Sequence, residues 1–264
     1  MDAAERGAAL EAALAAAREA GEILMQLFGR LAAGDVESKG VSRDLVTKAD
    51  LASERAIVAR LRARFPGHAI ESEEEVHDER SPGLRWFLDP LDGTINFVHG
   101  LPAFGVSLAL YDGLTPEVGV VHLPRLGETF WATRGGGAFL DGQRIAVSRA
   151  KTLEESILAT GFPYRRGELA HDNLENFGRF FYAVRGLRRM GSAAMDLAYT
   201  AAGRFDGFWE LHLAPHDVAA GALLVQEAGG LVTDADGGDD WLRGGHVVAA
   251  PAALHAEIRA RVRH

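Results

Sequence analysis

Trp86-Phe87-Leu88-Asp89-Pro90-Leu91-Asp92-Gly93-Thr94-Ile95-Asn96-Phe97-Val98-His99 is the stretch around which the rest of the chain makes sense as scaffolding. Trp86, Phe87 and Leu88 form a short apolar run suited to a buried strand. Pro90 has no N–H to donate and is expected to end the ladder, which leaves Asp89 at a strand terminus. The following turn adds the carboxylate of Asp92, then Gly93, which allows an unusual backbone angle or the close approach of a ligand, then the hydroxyl of Thr94. The Leu91 carbonyl is not needed by regular structure there and is free to face a cation. Such a set of hard oxygens suits Mg²⁺ or Mn²⁺, and one carboxylate set between two cations can bridge them. The same residues also fit an Asx turn capping a short helix from Gly93 to Phe97, with both aspartates solvated.

Outward from this stretch, the upstream chain reads as two helices and a strand. Apolar positions from Ala3 to Leu31 predict a long amphipathic helix that ends near Gly34, and Thr47 to Phe65 regains the same periodicity until Pro66-Gly67 stops it. The polar segment Asp35 to Asp44, with Gly40 in its centre, reads as a mobile flap carrying Lys39. His68-Ala69-Ile70 begins a strand that is expected to pair beside the one ending at Asp89. It runs into Glu71-Ser72-Glu73-Glu74-Glu75, so one of these acids can reach the same site, although a run of acids also suits a solvated loop.

Downstream, Phe104 to Leu140 alternates as a β meander, and Gly135-Gly136-Gly137 reads as a hairpin turn because no helix opens after it to make a phosphate cradle. After about Ala150 strands and helices alternate, with helices expected at Leu169 to Val184, Ser192 to Ala202, Asp217 to Ala228 and at the C-terminus. Pro215 sets up a helix start at which Asp217 finds a favourable dipole, which by itself explains an acid there. Small residues from Gly191 to Ala194 open another helix whose N–H groups are accessible to an anion or a sugar hydroxyl. His212 and His216 stand four apart, but Pro215 between them spoils a zinc helix. The picture is a single catalytic unit over 1–264, with an α+β part to about 150 and an α/β part from about 151, sharing a cleft.

The 264 residues, 47% hydrophobic, can bury a large core. There are 28 Lys and Arg against 37 Asp and Glu, a net charge of −9, so a nucleic-acid duplex would be repelled and no nucleic-acid partner is expected. The basic clusters Arg60 to Arg64 and Arg185 to Arg189 lack interleaved aromatics and read as solvated faces. The absence of cysteine removes disulfides, thiolate nucleophiles and sulfur-ligated metals, and fits a reducing compartment. With no basic leader and no membrane-length apolar stretch, a cytoplasmic protein without a membrane partner is expected.

Three segments in this order, Asp44-Leu45-Val46-Thr47, then Asp89 to Phe97, then Asp217-Val218-Ala219-Ala220-Gly221 leading to Glu227-Ala228-Gly229-Gly230, resemble the inositol monophosphatase family. That family belongs to the lithium-sensitive, Mg²⁺-dependent phosphatase superfamily that includes fructose-1,6-bisphosphatase. The resemblance implies an α/β fold layered as an α-β-α-β-α sandwich, a homodimer, and two to three Mg²⁺ ions. It implies that Glu73, Asp89 and the Leu91 carbonyl hold the first ion, that Asp89, Asp92 and Asp217 hold the second, and that a weaker third sits near Glu73 and the flap. Thr94, hydrogen-bonded to Asp44, and Glu73 would orient the attacking water. The Gly93 and Thr94 N–H groups would bind phosphate, and Gly191, Ser192, Ala193 and Glu210 would hold inositol hydroxyls.

Two departures bear on this carry-over. The family commonly has tryptophan before its last metal aspartate, where this chain has His216, and its Glu-Glu-Ser is here Glu73-Glu74-Glu75 with Glu71 nearby. Glu73, five residues after His68 and sixteen before Asp89, fits the family spacing among Glu71, Glu73 and Glu74. Superfamily members acting on 3′-phosphoadenosine 5′-phosphate or histidinol phosphate tend to carry lysine where Ile95 stands, which favours inositol phosphates as the small-molecule substrate. Fructose 1,6-bisphosphate and other sugar phosphates stay open, as does a non-catalytic relative that senses metal or binds a partner such as RNA-associated machinery.

Overall fold

The computed structural model describes residues 1–79 and 83–264. The first half runs α1 (Ala3–Leu27), the hairpin β1 (Val36–Ser38) and β2 (Leu45–Thr47), α2 (Lys48–Arg64), β3 (Ala69–Ser72), β4 (Leu84–Asp92), the short α3 (Thr94–Val98), and the meander β5 (Gly105–Asp112), β6 (Thr115–Leu123), β7 (Glu128–Thr133), β8 (Gly137–Leu140) and β9 (Gln143–Arg144). The second half runs β10 (Ile157–Thr160), α4 (Leu174–Phe181), β11 (Gly186–Arg188), α5 (Ala193–Ala201), β12 (Gly207–Glu210), α6 (Pro215–Glu227), β13 (Gly230–Thr233), α7 (Trp241–Gly244), β14 (Val247–Pro251) and α8 (Ala252–Arg261).

Strands β3 to β9 form one 7-stranded sheet in sequence order, and a 5-stranded sheet has the order β11-β10-β12-β14-β13. The two-residue side-chain period of each strand sorts its residues into layers. On β4, Trp86 and Leu88 pack with Ala13, Ala17 and Leu24 of α1 and Ile57 and Leu61 of α2. Phe87, between them, faces the other way into a core shared with Leu197 of α5, Val218 and Leu223 of α6, and Phe208 of β12. Trp209, next to Phe208, points to the outer side of the second sheet with Phe180 of α4 and Leu254 and Ile258 of α8. The result is helix, sheet, helix, sheet, helix, the expected layered sandwich, with a central core drawn from both halves of the chain. No helix among the described residues is long and apolar enough to cross a membrane.

Four local expectations change. Helix α1 stops at Leu27, because Phe28 leaves helical angles at ψ 124° and Gly29 turns left-handed. The flap is an ordered antiparallel hairpin in which Glu37 pairs with Val46. Strand β4 does not end at Asp89: its pairing with β5 shifts register between Asp89 and Asp92, then resumes at Asp92 opposite Gly105. The bulge accommodates Pro90 without requiring its missing N–H, and the Ser53 hydroxyl donates to the Pro90 carbonyl at 2.8 Å. Helix α4 is shorter than expected, starting only after the left-handed Asn173.

Candidate active site

The bulge in β4 brings Asp89 and Asp92 to one side of the strand, and the start of α6 brings up Asp217. One oxygen from each of these three lies within 4.8 Å of the others. Asp89 and Asp92 are 2% and 8% exposed and Asp217 is half-buried, and all three line a cavity of about 320 Å³. Each acid is fixed through one oxygen. Leu91 N–H donates to Asp89 Oδ1 at 2.9 Å, Ala214 N–H to Asp217 Oδ2 at 2.6 Å, and both the Ser192 hydroxyl and Ala194 N–H to Asp92 Oδ2 at 2.7 Å.

The electrostatics are those of carboxylates lacking a counter-charge. Burial pushes Asp89 well above the usual carboxylate range, and its neighbours Glu73, Asp92 and Asp217 push it further. Burial and then Asp217 push Asp92 up to about 7, against the pull of Ser192 and Ala194. Asp217 also rises through burial, with Glu73 adding to it, although His216 pulls it down. An all-oxygen set of this charge fits a hard divalent cation, with the protein donors holding one oxygen of each aspartate and leaving the other for an ion. The Leu91 carbonyl accepts from the Thr94 hydroxyl at 3.1 Å, and its second lone pair stays available.

Of the acids at the end of β3 and just after it, Glu73 lines the cavity. Glu71 turns away into a two-pronged ion pair with Arg243 at 2.6 and 2.9 Å. Lys39, carried to the site by the β1–β2 hairpin, donates to Glu73 at 2.9 Å and Glu74 at 2.6 Å. Burial opposes the lysine's charge, but the two glutamates outweigh it and hold its pKa above the usual range.

The expected partner of Thr94 is corrected. Its hydroxyl lies 3.0 Å from Asp50 Oδ1, whereas Asp44 sits in the turn of the hairpin, where its carbonyl receives the Lys39 N–H. Asp44 lines the cavity without reaching Thr94. Asp50 is held for this task because it also closes a capping box at the start of α2, accepting from Thr47 N–H at 2.8 Å and from the Thr47 hydroxyl at 2.6 Å. Burial raises it to about 6, despite the hydrogen bond from Thr47. The pattern Thr47-x-x-Asp50 was the signal available in the sequence.

Gly93 has φ +95°, and a Cβ there would lie 2.8 Å from the Ala103 carbonyl oxygen, so only glycine fits. It caps α3, whose first N–H groups have no acceptors within the helix. Gly191 and Ala193 line the cavity. Ser192 lines it too, but its hydroxyl is engaged with Asp92, so its side chain serves the acid cluster rather than an inositol hydroxyl. Glu210, at the end of β12, lies against Gly161, and burial with Asp217 nearby pushes it up to about 8. Phe162, Tyr164, His212 and Arg189 also line the cavity, though none was singled out as a site residue and Arg189 was expected on a solvated face.

The sequence profile of the inositol monophosphatase family matches residues 7–264. The chain belongs to the inositol monophosphatase family. Nus factor SuhB of Pseudomonas aeruginosa is 48% identical over 248 residues, 91% of this chain and 90% of that one. Among solved structures, the extragenic suppressor protein suhB of Bartonella henselae superposes with a TM-score of 0.88 at 39% identity, covering 96% of this chain and 98% of the other. The inositol monophosphatase of Anabaena superposes with a TM-score of 0.86 at 37% identity, covering 96% and 94%. Relatives of this inositol monophosphatase family member thus include proteins named as phosphatases and proteins named as Nus factors.

Proposed function

We propose that the chain is a cytoplasmic, Mg²⁺-dependent phosphomonoesterase that hydrolyses inositol monophosphate to inositol and phosphate by direct attack of water. The observation that carries this reading is the convergence of Asp89, Asp92 and Asp217 within 4.8 Å beside the Thr94–Asp50 hydrogen bond. Phosphate-ester hydrolysis calls for charge neutralisation and an aligned water more than for covalent chemistry. Asp89, Asp92, Asp217, Glu73 and the Leu91 carbonyl would hold two to three Mg²⁺, with Mn²⁺ as a substitute. Bound there, such ions neutralise the phosphoryl oxygens and acidify a coordinated water.

The chain's own groups do the rest. Gly93 and Thr94 N–H groups hold phosphate oxygens. The Thr94 hydroxyl has one hydrogen and gives it to Asp50 or to the Leu91 carbonyl, so it offers the water a lone pair. Glu73 orients the same water. As the oxygen of water bonds to phosphorus and the bond to the inositol oxygen breaks, a proton passes through Thr94 to Asp50, whose pKa of about 6 suits a base at neutral pH, and the departing inositol oxygen takes a proton from bulk water, to which Asp50 afterwards returns its own. Glu210 and the backbone at Gly191 and Ala193 position the inositol hydroxyls.

A panel of inositol 1-phosphate, fructose 1,6-bisphosphate and a nucleotide with Mg²⁺, in ¹⁸O-labelled water, tests the reading. Label is expected in phosphate, and Li⁺ is expected to inhibit. A phosphorylated residue trapped on quenching, or a thousandfold preference for the nucleotide, would defeat it.

The homodimer belongs to the same proposal and draws support from α4 and its C-cap, where Leu174, Phe181 and Tyr182 are 63%, 57% and 94% exposed. Sedimentation should give twice the chain mass. The relatives' name, Nus factor, favours a second reading in which the same surface serves a partner. It gives no support to the expectation that nucleic acid is excluded. Wild-type partner binding by an inactive Asp92→Asn protein would separate that role from catalysis.

A further inference from the structure

Helix α2 presents Asp50, Ser53 and Glu54 on one buried face, at the spacings of three and four residues that stack side chains along a helix. Asp50 meets Thr94, and the Ser53 hydroxyl meets the Pro90 carbonyl in the bulge of β4. Glu54 is 1% exposed and points to neither. Its Oε2 accepts from the Ser72 hydroxyl and from Glu74 N–H at 3.1 Å, and its Oε1 accepts from Glu75 N–H at 2.9 Å. These donors flank Glu73 on both sides.

The loop they belong to is closed by Ser72 N–H donating to the Val76 carbonyl at 2.8 Å, and it is fastened to β4 by Glu73 N–H donating to the Leu88 carbonyl at 3.2 Å. With Glu54 included, every backbone N–H from Ser72 to Glu75 has its acceptor. The Glu73 side chain leaves this loop for the cavity, where it faces Lys39 and adds to the repulsion felt by Asp89, Asp92 and Asp217. Like charges drive Glu73 away from the place in which an ion needs it. A grip on the neighbouring backbone opposes that drift without adding a group to the cavity, and a buried acid whose oxygens are all satisfied supplies such a grip.

We propose that Glu54 is a positioning residue for metal uptake, holding the backbone on either side of Glu73 so that this carboxylate meets a divalent ion at the acid cluster, while Glu54 itself touches neither ion nor substrate. This rests on the metal-dependent reading above and gives it a residue that reading does not use. Groups that orient metal ligands set affinity by tenfold or more, so the effect belongs in ion binding before it appears in turnover.

The test is a double-variant cycle read in the binding of Mn²⁺ alone, followed by loss of the free ion's electron paramagnetic resonance signal. It uses wild type, Glu54→Gln, Glu73→Gln and the protein carrying both substitutions. Glutamine matches glutamate in shape, but both oxygens of Glu54 face backbone N–H groups, so the amide nitrogen opposes a donor whichever way it turns. Glu54→Gln is expected to weaken Mn²⁺ binding roughly tenfold, and to change it less than about twofold once Glu73 is already glutamine. Unchanged affinity in Glu54→Gln, whatever its melting temperature, overturns the proposal. So does an equal loss with and without Glu73, or a wild type that binds no Mn²⁺. Should Glu54→Gln fail to fold, Ser72→Ala takes its place in the cycle by removing one donor to Glu54, with a loss of about threefold expected and the same outcomes decisive. Hydrolysis of inositol 1-phosphate by the same proteins tests the phosphatase reading by itself. A wild type that takes up Mn²⁺ and hydrolyses no phosphate ester defeats that reading, and the cycle still decides the role of Glu54.

Discussion

Asp92 is held at its second oxygen by Ser192 and Ala194 and leaves the first for the centre of the cluster. Asp92→Asn keeps that shape and removes the charge, so activity should fall at least about a thousandfold while the circular dichroism spectrum is retained. Asp50 and Asp44 make a sharper contrast. Asp50→Asn should lower kcat roughly a hundredfold and cost about 1 kcal/mol through the weakened cap on α2, whereas Asp44→Asn should change kcat by less than about fivefold. With the Asp50 carboxyl at about 6, the acid limb of kcat/KM should fall about tenfold per pH unit below that point, and should vanish in Asp50→Asn. Equal effects of the two asparagine variants would restore Asp44 as the partner of Thr94. Asp50 is hard to find in the sequence because it satisfies helical periodicity and a capping pattern at once. Either explanation suffices for an acid there, and only the fold shows its free oxygen reaching Thr94.

Among the elements, β4 is the one whose reading from sequence goes furthest. Its apolar run, its proline and its turn glycine each leave a local mark, and the meander beyond it is punctuated by Asp112-Gly113, Gly127 and the triple glycine, where the structure puts hairpins. The bulge is not visible in that way, because register depends on the partner strand β5. The hairpin of β1 and β2 likewise reads as a mobile flap until its ladder and the Lys39 contacts are seen, since short polar strands carry little hydrophobic pattern. Replacing Gly93 by alanine at the start of α3 should cost about 1–3 kcal/mol, because a left-handed angle and a blocked Cβ must both be tolerated. A melting temperature unchanged in Gly93→Ala would refute the geometry of that turn.

For the molecule as a whole, the acid cluster links ion binding to stability. Asp89, Asp92 and Asp217 all have pKa values raised in the folded state. Between about pH 4, where such groups ionise in the unfolded chain, and about 7, the native state retains protons that the unfolded chain has lost. Their contribution to stability therefore declines as pH rises through that window. On the proposed metal-dependent reading, divalent ions take the place of the protons, so the increase in melting temperature produced by Mg²⁺ over EDTA should be larger at pH 8 than at pH 5.5. A pH-independent increment in scanning fluorimetry would contradict this. Layer order follows from period-2 alternation on β4 and β12, but the meeting of Asp217 with Asp89 is a property of how α6 inserts between the sheets, and no local pattern carries it.

The hydrogen bonds from Ser192 and Ala194 to Asp92 tie a side chain of the first half to a helix of the second. During synthesis the aspartates of β4 emerge about a hundred residues before the groups that aim them, and Asp217 later still. On the proposed metal-dependent reading, strong capture of a divalent ion thus becomes possible only once both sheets have docked, which makes ion uptake a checkpoint on completed assembly rather than a seed for it.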